Sequence, residues 1–149
     1  MRSSSAFWDS SAIVPLCVNQ AASHQAHGLF RKFALVVWWG SYIEVHSALC
    51  RLHRQKEISD LAKRGAPARL RLLSRGWREV LPNEQVRDLA IRSLESNALR
   101  AADSLQLAAS LVWCSEHPSK RTFICADGRL AQAASSAGFS VIQFLPTTP

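Results

Sequence analysis

The segment 34–39, Ala-Leu-Val-Val-Trp-Trp, contains no polar side chain and ends at Gly40. Such a run of β-branched and aromatic residues is typical of a strand that is covered on both faces, and strands of this kind belong to parallel sheets. Shorter apolar segments lead into Asp9 and Asp127, and another lies at 141–144. Because helical segments separate these strands, the sequence predicts an α/β fold: a three-layer α/β/α sandwich with a central parallel sheet.

The helices are predicted from apolar spacing, capping residues and breaks. Ser10 and Ser11 are expected to cap the first helix and Ser41 the third, since a hydroxyl can accept from a free N–H of the first turn. Gly138 is expected to end the last helix. The predicted helices cover 12–18, 23–33, 41–56, 59–77, 84–96, 99–116 and 128–137, with the fourth interrupted at 65–67.

Size and composition indicate one globular domain over 1–149, with a core at about 6–144 and a loose tail at 145–149. Hydrophobic residues make up 48% and charged residues 19%, which excludes a disordered or collagen-like chain. The apolar run 34–39 is too short to span a bilayer, and Asp9 interrupts the apolar stretch near the start, so neither a membrane span nor a secretory signal is predicted. The cysteines form no C-x-x-C pair and are expected to be reduced thiols of a cytoplasmic protein.

The charge balance favours an anionic partner. Eighteen Lys and Arg stand against eleven Asp and Glu, a formal net charge of +7. Nucleic acid is the first candidate, and simple solubility is the other interpretation. The same two interpretations, an RNA-tracking face or a solvated helix face, apply to Arg64, Arg69, Arg71, Arg75 and Arg78.

Four acids stand where such a fold brings side chains to one rim. Asp9 and Asp127 follow strands, whereas Glu44 and Asp103 lie in the first turns of helices. Open α/β sheets bind ligands at the carboxyl ends of their strands. Carboxylates gathered there raise one another's pKa, and a divalent cation relieves that cost. Oxygen ligands suit Mg²⁺ or Mn²⁺, which can activate water against a phosphodiester; each acid alone could instead cap a helix or complement its dipole.

These acids lie in four segments that resemble the acidic blocks of PIN-domain ribonucleases, most closely the VapC toxins of bacterial toxin-antitoxin pairs. The segments are 7–12 (FWDSSA), 38–49 (WWGSYIEVHSAL), 99–109 (LRAADSLQLAA) and 123–130 (FICADGRL). The resemblance implies a Mg²⁺- or Mn²⁺-dependent endoribonuclease, commonly a homodimer, that a small cognate antitoxin inhibits. It also implies that Asp9, Glu44, Asp103 and Asp127 are the metal ligands.

Two positions depart from the family pattern, and both bear on Asp127. Cys125 stands where the family often has threonine, and Arg129 stands where some relatives carry a further acid.

Several nearby side chains have a functional and a structural interpretation. Ser10 or Ser11 could hydrogen-bond a carboxylate or a phosphate instead of capping a helix. Arg51 and Arg100 could meet phosphate oxygens through their planar guanidinium groups, or could pair with neighbouring acids.

Other features leave alternatives open. His24 and His27 have a spacing that could bind a metal but lack companion ligands. Trp38 and Trp39 could stack on bases or pack in the core. Leu49, Leu52 and the apolar side of 59–73 could form a dimer or antitoxin surface, or core.

Two competing functions remain. One is a catalytically silent module that keeps the fold and binds RNA or an antitoxin. The presence of all four acids argues against it. The other is an α/β phosphotransfer or phosphatase domain, but the sequence contains no D-x-D at the first acid, no P-loop and no G-x-S-x-G.

Overall fold

The structure, a computed structural model, describes residues 4–144. A five-stranded sheet with the order β3-β2-β1-β4-β5 forms its centre, and every neighbouring pair is parallel. The predicted α/β sandwich is therefore confirmed, while the predicted tail 145–149 lies outside the described residues. The elements are β1 (Ser4–Trp8), α1 (Ser10–Cys17), α2 (Ser23–Lys32), β2 (Phe33–Trp38), α3 (Ser41–Arg54), α4 (Asp60–Gly76), β3 (Arg78–Val80), α5 (Glu84–Ser96), α6 (Ala101–Trp113), β4 (Thr122–Cys125), α7 (Gly128–Ala137) and β5 (Ser140–Gln143).

The sheet separates two hydrophobic cores. Successive side chains of a strand point to opposite faces, so Ala6 and Trp8 of β1 pack on the side of α1 to α4, whereas Phe7 packs on the side of α5 to α7. Strand β2 divides in the same way, with Val37 in the first core and Val36 in the second. Helices thus cover both faces of the central strands, which explains their uninterrupted apolar sequences.

The strand order reverses beside β1. From β1 the chain builds outward to β2 and β3, and it then returns to the other side of β1 to form β4 and β5. Connections that leave β1 and β4 in opposite directions open a crevice at the carboxyl ends of these strands. The backbone N–H of Asp9 donates to the carbonyl of Ile124 at 2.9 Å, which ties the two strand ends together at this crevice.

The structure differs from the prediction at two elements. Helix α4 runs through 65–67 without interruption. Ala66 and Leu70 are buried against the first core, and this packing offsets the cost of the backbone hydrogen bond that Pro67 cannot donate. Strand β3 was not predicted, since it is a short edge strand whose first two side chains, Arg78 and Glu79, are exposed.

Two of the predicted caps are wrong. The side chain of Asp9, and not a serine, caps α1 by accepting from the backbone N–H of Ser11. Gly40 stands at the N-cap of α3, and Ser41 lies inside the helix. A β-carbon on Gly40 would lie 2.5 Å from Nε1 of Trp38, so the indole requires glycine there. Gly138 ends α7 with φ of 114°, as predicted.

Within residues 4–144, none of the helices combines the length and the apolar character that a bilayer-spanning segment needs. The four cysteines are free thiols, as expected.

Candidate active site

The structure brings the four predicted acids to the carboxyl edge of the sheet. Asp9 interacts electrostatically with Asp103 and Glu44, and Glu44 also interacts with Asp103. Asp127 joins the cluster through Asp103. Carboxylates that are far apart in sequence are therefore neighbours, as the fold prediction requires.

Asp9 is held at the end of β1 in a nearly closed environment, with 3% of its surface exposed. Its Oδ2 accepts from the backbone N–H of Ser11 at 3.1 Å and from the Ser11 hydroxyl. The same hydroxyl accepts from the backbone N–H of Ala126 at 2.9 Å, so Ser11 links the ends of β1 and β4. Burial raises the pKa of Asp9 to about 6, although the hydrogen bonds from Ser11 oppose this effect.

Glu44 lies in the first turn of α3 and receives two neutral donors. The Ser10 hydroxyl donates to Oε1 at 3.4 Å, and Nε2 of Gln106 donates to Oε2 at 2.8 Å. Burial raises the pKa of Glu44 to about 7, and the charge of Asp9 adds to this effect. Of the two interpretations of Ser10 and Ser11, hydrogen bonding to a carboxylate is therefore the one that the structure shows.

Gln106 is a site residue to which the sequence analysis gave no role. It is fully buried in α6, and its Nε2 also donates to Oγ of Ser41 at 2.9 Å. Its Oε1 is buried without a hydrogen-bond partner, a condition that costs about 1–3 kcal/mol for a polar atom. A polar residue one turn after Asp103, inside an otherwise apolar run, is the sequence signal that could have identified it.

Asp103 and Asp127 form a more open part of the cluster. Burial raises the pKa of Asp103 and the charge of Asp127 adds to this, whereas Arg100 and Arg129 lower it. Asp127 caps α7, since its Oδ1 accepts from the backbone N–H of Leu130 at 2.8 Å. The capping alternative is thus correct for Asp9 and Asp127, each of which accepts from a backbone N–H of the helix that follows it.

Two clefts open beside the acids. The first cleft, of about 410 Å³, contains Glu44, both serines and Arg51, together with apolar side chains of α1 and α3. The second cleft, of about 500 Å³, lies at the starts of α6 and α7. It is lined by Arg100, Asp103, Asp127, Gly128, Arg129 and Gln132. The two arginines singled out from the sequence, Arg51 and Arg100, therefore lie in different clefts.

The donor chemistry of the cluster fits a hard divalent ion. All candidate ligands are carboxylate oxygens, and the donors that orient Asp9 and Glu44 are neutral; among residues 4–144, neither acid forms an ion pair with a cation. As placed in the described part of the chain, however, no group of three Asp, Glu, His or Cys side chains could hold a metal ion. This also applies to His24 and His27, for which the structure provides no companion ligand among residues 4–144.

Burial decides which of the remaining apolar side chains belong to the core and which lie at the surface. Trp38 packs in the second core, whereas Trp39 is 46% exposed at the rim. Leu49 and Leu52 belong to the first core and are not available as a docking surface. On the outer side of α4, by contrast, Leu61 is 74% exposed.

Comparison with solved structures identifies the fold. Neither a protein-family model nor a curated protein sequence matches this chain. VapC20 of Mycobacterium tuberculosis, a sarcin-ricin loop cleaving toxin, is similar in structure with a TM-score of 0.65 and 20% identity, over 95% of this chain and 100% of that chain. A toxin-antitoxin complex from Klebsiella pneumoniae gives a TM-score of 0.61 with 13% identity, over 85% and 91% of the two chains.

A third solved structure, PAE2754 from Pyrobaculum aerophilum, gives a TM-score of 0.60 with 15% identity, over 93% of this chain and 88% of that chain. The chain therefore has the PIN-like fold of VapC toxins, as the four acidic segments predicted.

Proposed function

We propose that this protein is a metal-dependent endoribonuclease that hydrolyses RNA with Mg²⁺ or Mn²⁺ and is the toxin of a toxin-antitoxin pair. The observation that carries the proposal is the gathering of four carboxylates at the strand-order reversal, two of them with pKa values raised to about 6 and 7. A protein that needed these residues only as helix caps could use serine or asparagine without this electrostatic cost. Phosphodiester hydrolysis, in contrast, uses clustered carboxylates directly.

Asp9, Glu44, Asp103 and Asp127 would hold the divalent ion. When bound, such an ion lowers the pKa of a water molecule and neutralises charge on the leaving oxygen. Mutual repulsion keeps uncompensated carboxylates apart, and a cation reverses the sign of that interaction. Among residues 4–144 the donor set has suitable chemistry, but no three of its side chains are arranged to hold an ion.

The surrounding residues orient the acids. Ser11 fixes Oδ2 of Asp9 and the loop at Ala126 with one hydroxyl, and Gln106 fixes Oε2 of Glu44. Neutral donors hold these carboxylates in place without removing their charge, which stays available for the ion. Arg51, in the first cleft beside Glu44, offers a guanidinium to the RNA backbone.

The proposed partners follow from the charge and from the solved structures. A net charge of +7 suits an RNA substrate. The similar fold of a toxin-antitoxin complex supports a small cognate antitoxin as protein partner. The resemblance further supports a homodimer, and RNA cleavage by a protein with free thiols fits the cytoplasm.

The first test is the substitution Asp103→Asn. We expect it to keep the fold, because Asp103 is half-exposed and asparagine can still accept the backbone hydrogen bond from Arg100, but to abolish RNA cleavage and relieve growth arrest on expression. Asp88→Asn is the matched control, since it removes an exposed acid from α5 on the surface. Circular dichroism would verify folding, and cleavage of labelled RNA with Mg²⁺ would measure activity.

Chelation completes this test. Cleavage by the wild-type protein should vanish in excess chelator and return with Mn²⁺. Wild-type rates for the Asp103→Asn variant, or cleavage that persists in chelator, would contradict the proposal. RNA binding without cleavage under every metal condition would instead identify the catalytically silent module. Mapping RNA 5′ ends after brief induction would reveal the target, for which the loop cut by VapC20 is one candidate.

A further inference from the structure

The second cleft combines two arginines with two of the acids. Arg100 stands at the N-cap of α6 and Arg129 lies in the first turn of α7, so two separate helices present cations to one cavity of about 500 Å³. Both side chains are exposed. Gln132, one turn after Arg129, adds an amide to the same wall. Among residues 4–144, the side chains that line this cavity are charged or polar, which suits a charged group.

Within the part of the chain that the structure describes, neither arginine forms an ion pair. Among residues 4–144 the ion pairs are His53–Asp60 and Arg92–Glu116. Arg100 and Arg129 are near enough to lower the pKa of Asp103, yet neither closes an ion pair with it. Other arginines have defined protein contacts: Arg69 donates to the carbonyl of Cys17, and Arg121 lies over the ring of Trp113 at 5.4 Å.

We infer that the second cleft binds the phosphate group adjacent to the scissile phosphodiester of the RNA, with Arg100 and Arg129 as its donors. The inference rests on the proposed function and adds a binding site to it. RNA carries one negative charge per nucleotide, so a strand whose scissile group lies over the acids must place a neighbouring phosphate close to them. Carboxylates repel that phosphate, and the two guanidinium groups in the same cleft as Asp103 and Asp127 offset the repulsion.

The backbone supports the same assignment. Gly128 and Arg129 begin α7, a helix of ten residues, and the N–H groups of a first helical turn favour an anion. In this turn, Asp127 accepts from the N–H of Leu130 at 2.8 Å.

The test measures binding of fluorescein-labelled single-stranded RNA in chelator, where no cleavage occurs. We expect Arg129→Gln to weaken binding about 10-fold and to reduce the slope of log K against log salt by about 0.7, the value for one phosphate contact on a single strand. Arg121→Gln is the matched control, because it removes the same charge from an exposed arginine that stacks on Trp113, and it should change affinity less than 2-fold. With Mg²⁺ present, Arg129→Gln should raise KM about 10-fold and leave kcat within about 3-fold.

A chemically modified RNA identifies the contact. A single methylphosphonate, which removes the charge of one phosphate, would be placed next to the cleavage site on the 5′ side or the 3′ side. At one of these positions the wild-type protein should lose about 10-fold in affinity, while the Arg129→Gln variant should lose no more than 2-fold, because its partner is already absent. Full loss by both proteins at both positions would overturn the subsite.

The outcomes separate this inference from the proposed function. If the wild-type protein cleaves RNA and Asp103→Asn does not, but Arg129→Gln behaves like Arg121→Gln, the subsite is wrong and the nuclease assignment stands. In that case the two arginines serve only to balance Asp103. If the wild-type protein neither binds nor cleaves RNA, the proposed function fails and the subsite fails with it.

Discussion

The acid cluster has two halves that are built differently. Asp9 and Glu44 are enclosed between β1 and α3, and they are oriented by neutral donors from Ser11, Ser10 and Gln106. The half formed by Asp103 and Asp127 is more exposed and has Arg100 and Arg129 beside it.

This difference in charge and exposure indicates different roles for the two halves in binding metal and RNA. Carboxylates without a compensating cation, as in the enclosed half, take up protons more readily and would be stabilised by a bound cation. Positive charge beside the open half suits an anion, and the scissile strand would carry one there. Enclosure also strengthens electrostatic interactions, since the local dielectric falls as water is excluded. We therefore expect metal binding and catalysis to depend mainly on Asp9, Glu44 and Asp103, which interact with one another, and Asp127 to contribute more to the position of the RNA.

The largest expected effect is a contrast between Asp9→Asn and Asp127→Asn. Both variants should fold, because asparagine is as good an N-cap as aspartate for α1 and α7. Asp9→Asn should lower kcat by at least about 1,000-fold, equivalent to about 4 kcal/mol of transition-state stabilisation, and Asp127→Asn by about 10- to 100-fold. Single-turnover cleavage of the mapped RNA target with saturating Mg²⁺ would measure both.

A reversed order would refute the division between the halves. Equal losses would show that all four acids act as one unit, as residues of a single metal centre often do. The Asp88→Asn variant again provides the control for a surface charge change.

The enclosed half also predicts how the metal-free protein responds to pH. The pKa of Asp9 is raised from 3.8 to about 6 and that of Glu44 from 4.5 to about 7, so the folded state holds these protons more tightly than the unfolded chain. Their contribution to stability is fully present below about pH 4 and is lost as pH rises through 6 and 7. For Asp9 the loss is on the order of 3 kcal/mol.

Thermal unfolding in chelator would check this sign. The Tm should fall between pH 5 and pH 8 by several degrees, since about 1 kcal/mol corresponds to about 2–4 °C for a chain of this size. Asp9→Asn should flatten that decline, and Mn²⁺ should restore the Tm of the wild-type protein at pH 8 but have little effect at pH 5. A Tm that rises with pH in chelator, equally in both proteins, would contradict the assigned burial of Asp9.

The sequence predicted the parts of the fold that depend on strong local patterns. The run 34–39, the glycine at 138 and the four acids at element boundaries identified the sheet, the last helix end and the convergence of the cluster. It did not predict α4 as continuous or β3 as a strand, because burial of Ala66 and pairing with β2 decide these, and both are long-range contacts.

In the enclosed half, too, long-range contacts decide what local sequence patterns do not predict. Helical spacing alone marks Ala102, Leu105, Ala109 and Val112 as an apolar stripe of α6. Of these the structure buries Ala109, together with Gln106, Leu107 and Ala108, so the buried face is offset from that stripe and includes the glutamine. A fully buried glutamine was therefore assigned no role, although its amide spans from α6 to α3.

The smallest expected effect sharpens the comparison at this residue. Gln106→Met keeps a side chain of similar size but removes the donor to Oε2 of Glu44 and the buried, unpartnered Oε1. Without that donor, Glu44 keeps the longer hydrogen bond from Ser10 and is held less firmly, so we expect kcat and Mn²⁺ affinity to fall about 10-fold, the lower part of the range for residues that orient metal ligands. The Tm in chelator should stay equal or rise, because an unsatisfied polar atom leaves the core.

Ser110→Ala is the control, as it removes another buried polar group from α6, one that bonds to the carbonyl of Leu107 and not to an acid. A lower Tm in chelator together with unchanged Mn²⁺ affinity would mean that Gln106 supports the fold of α3 and α6 and has no part in holding Glu44.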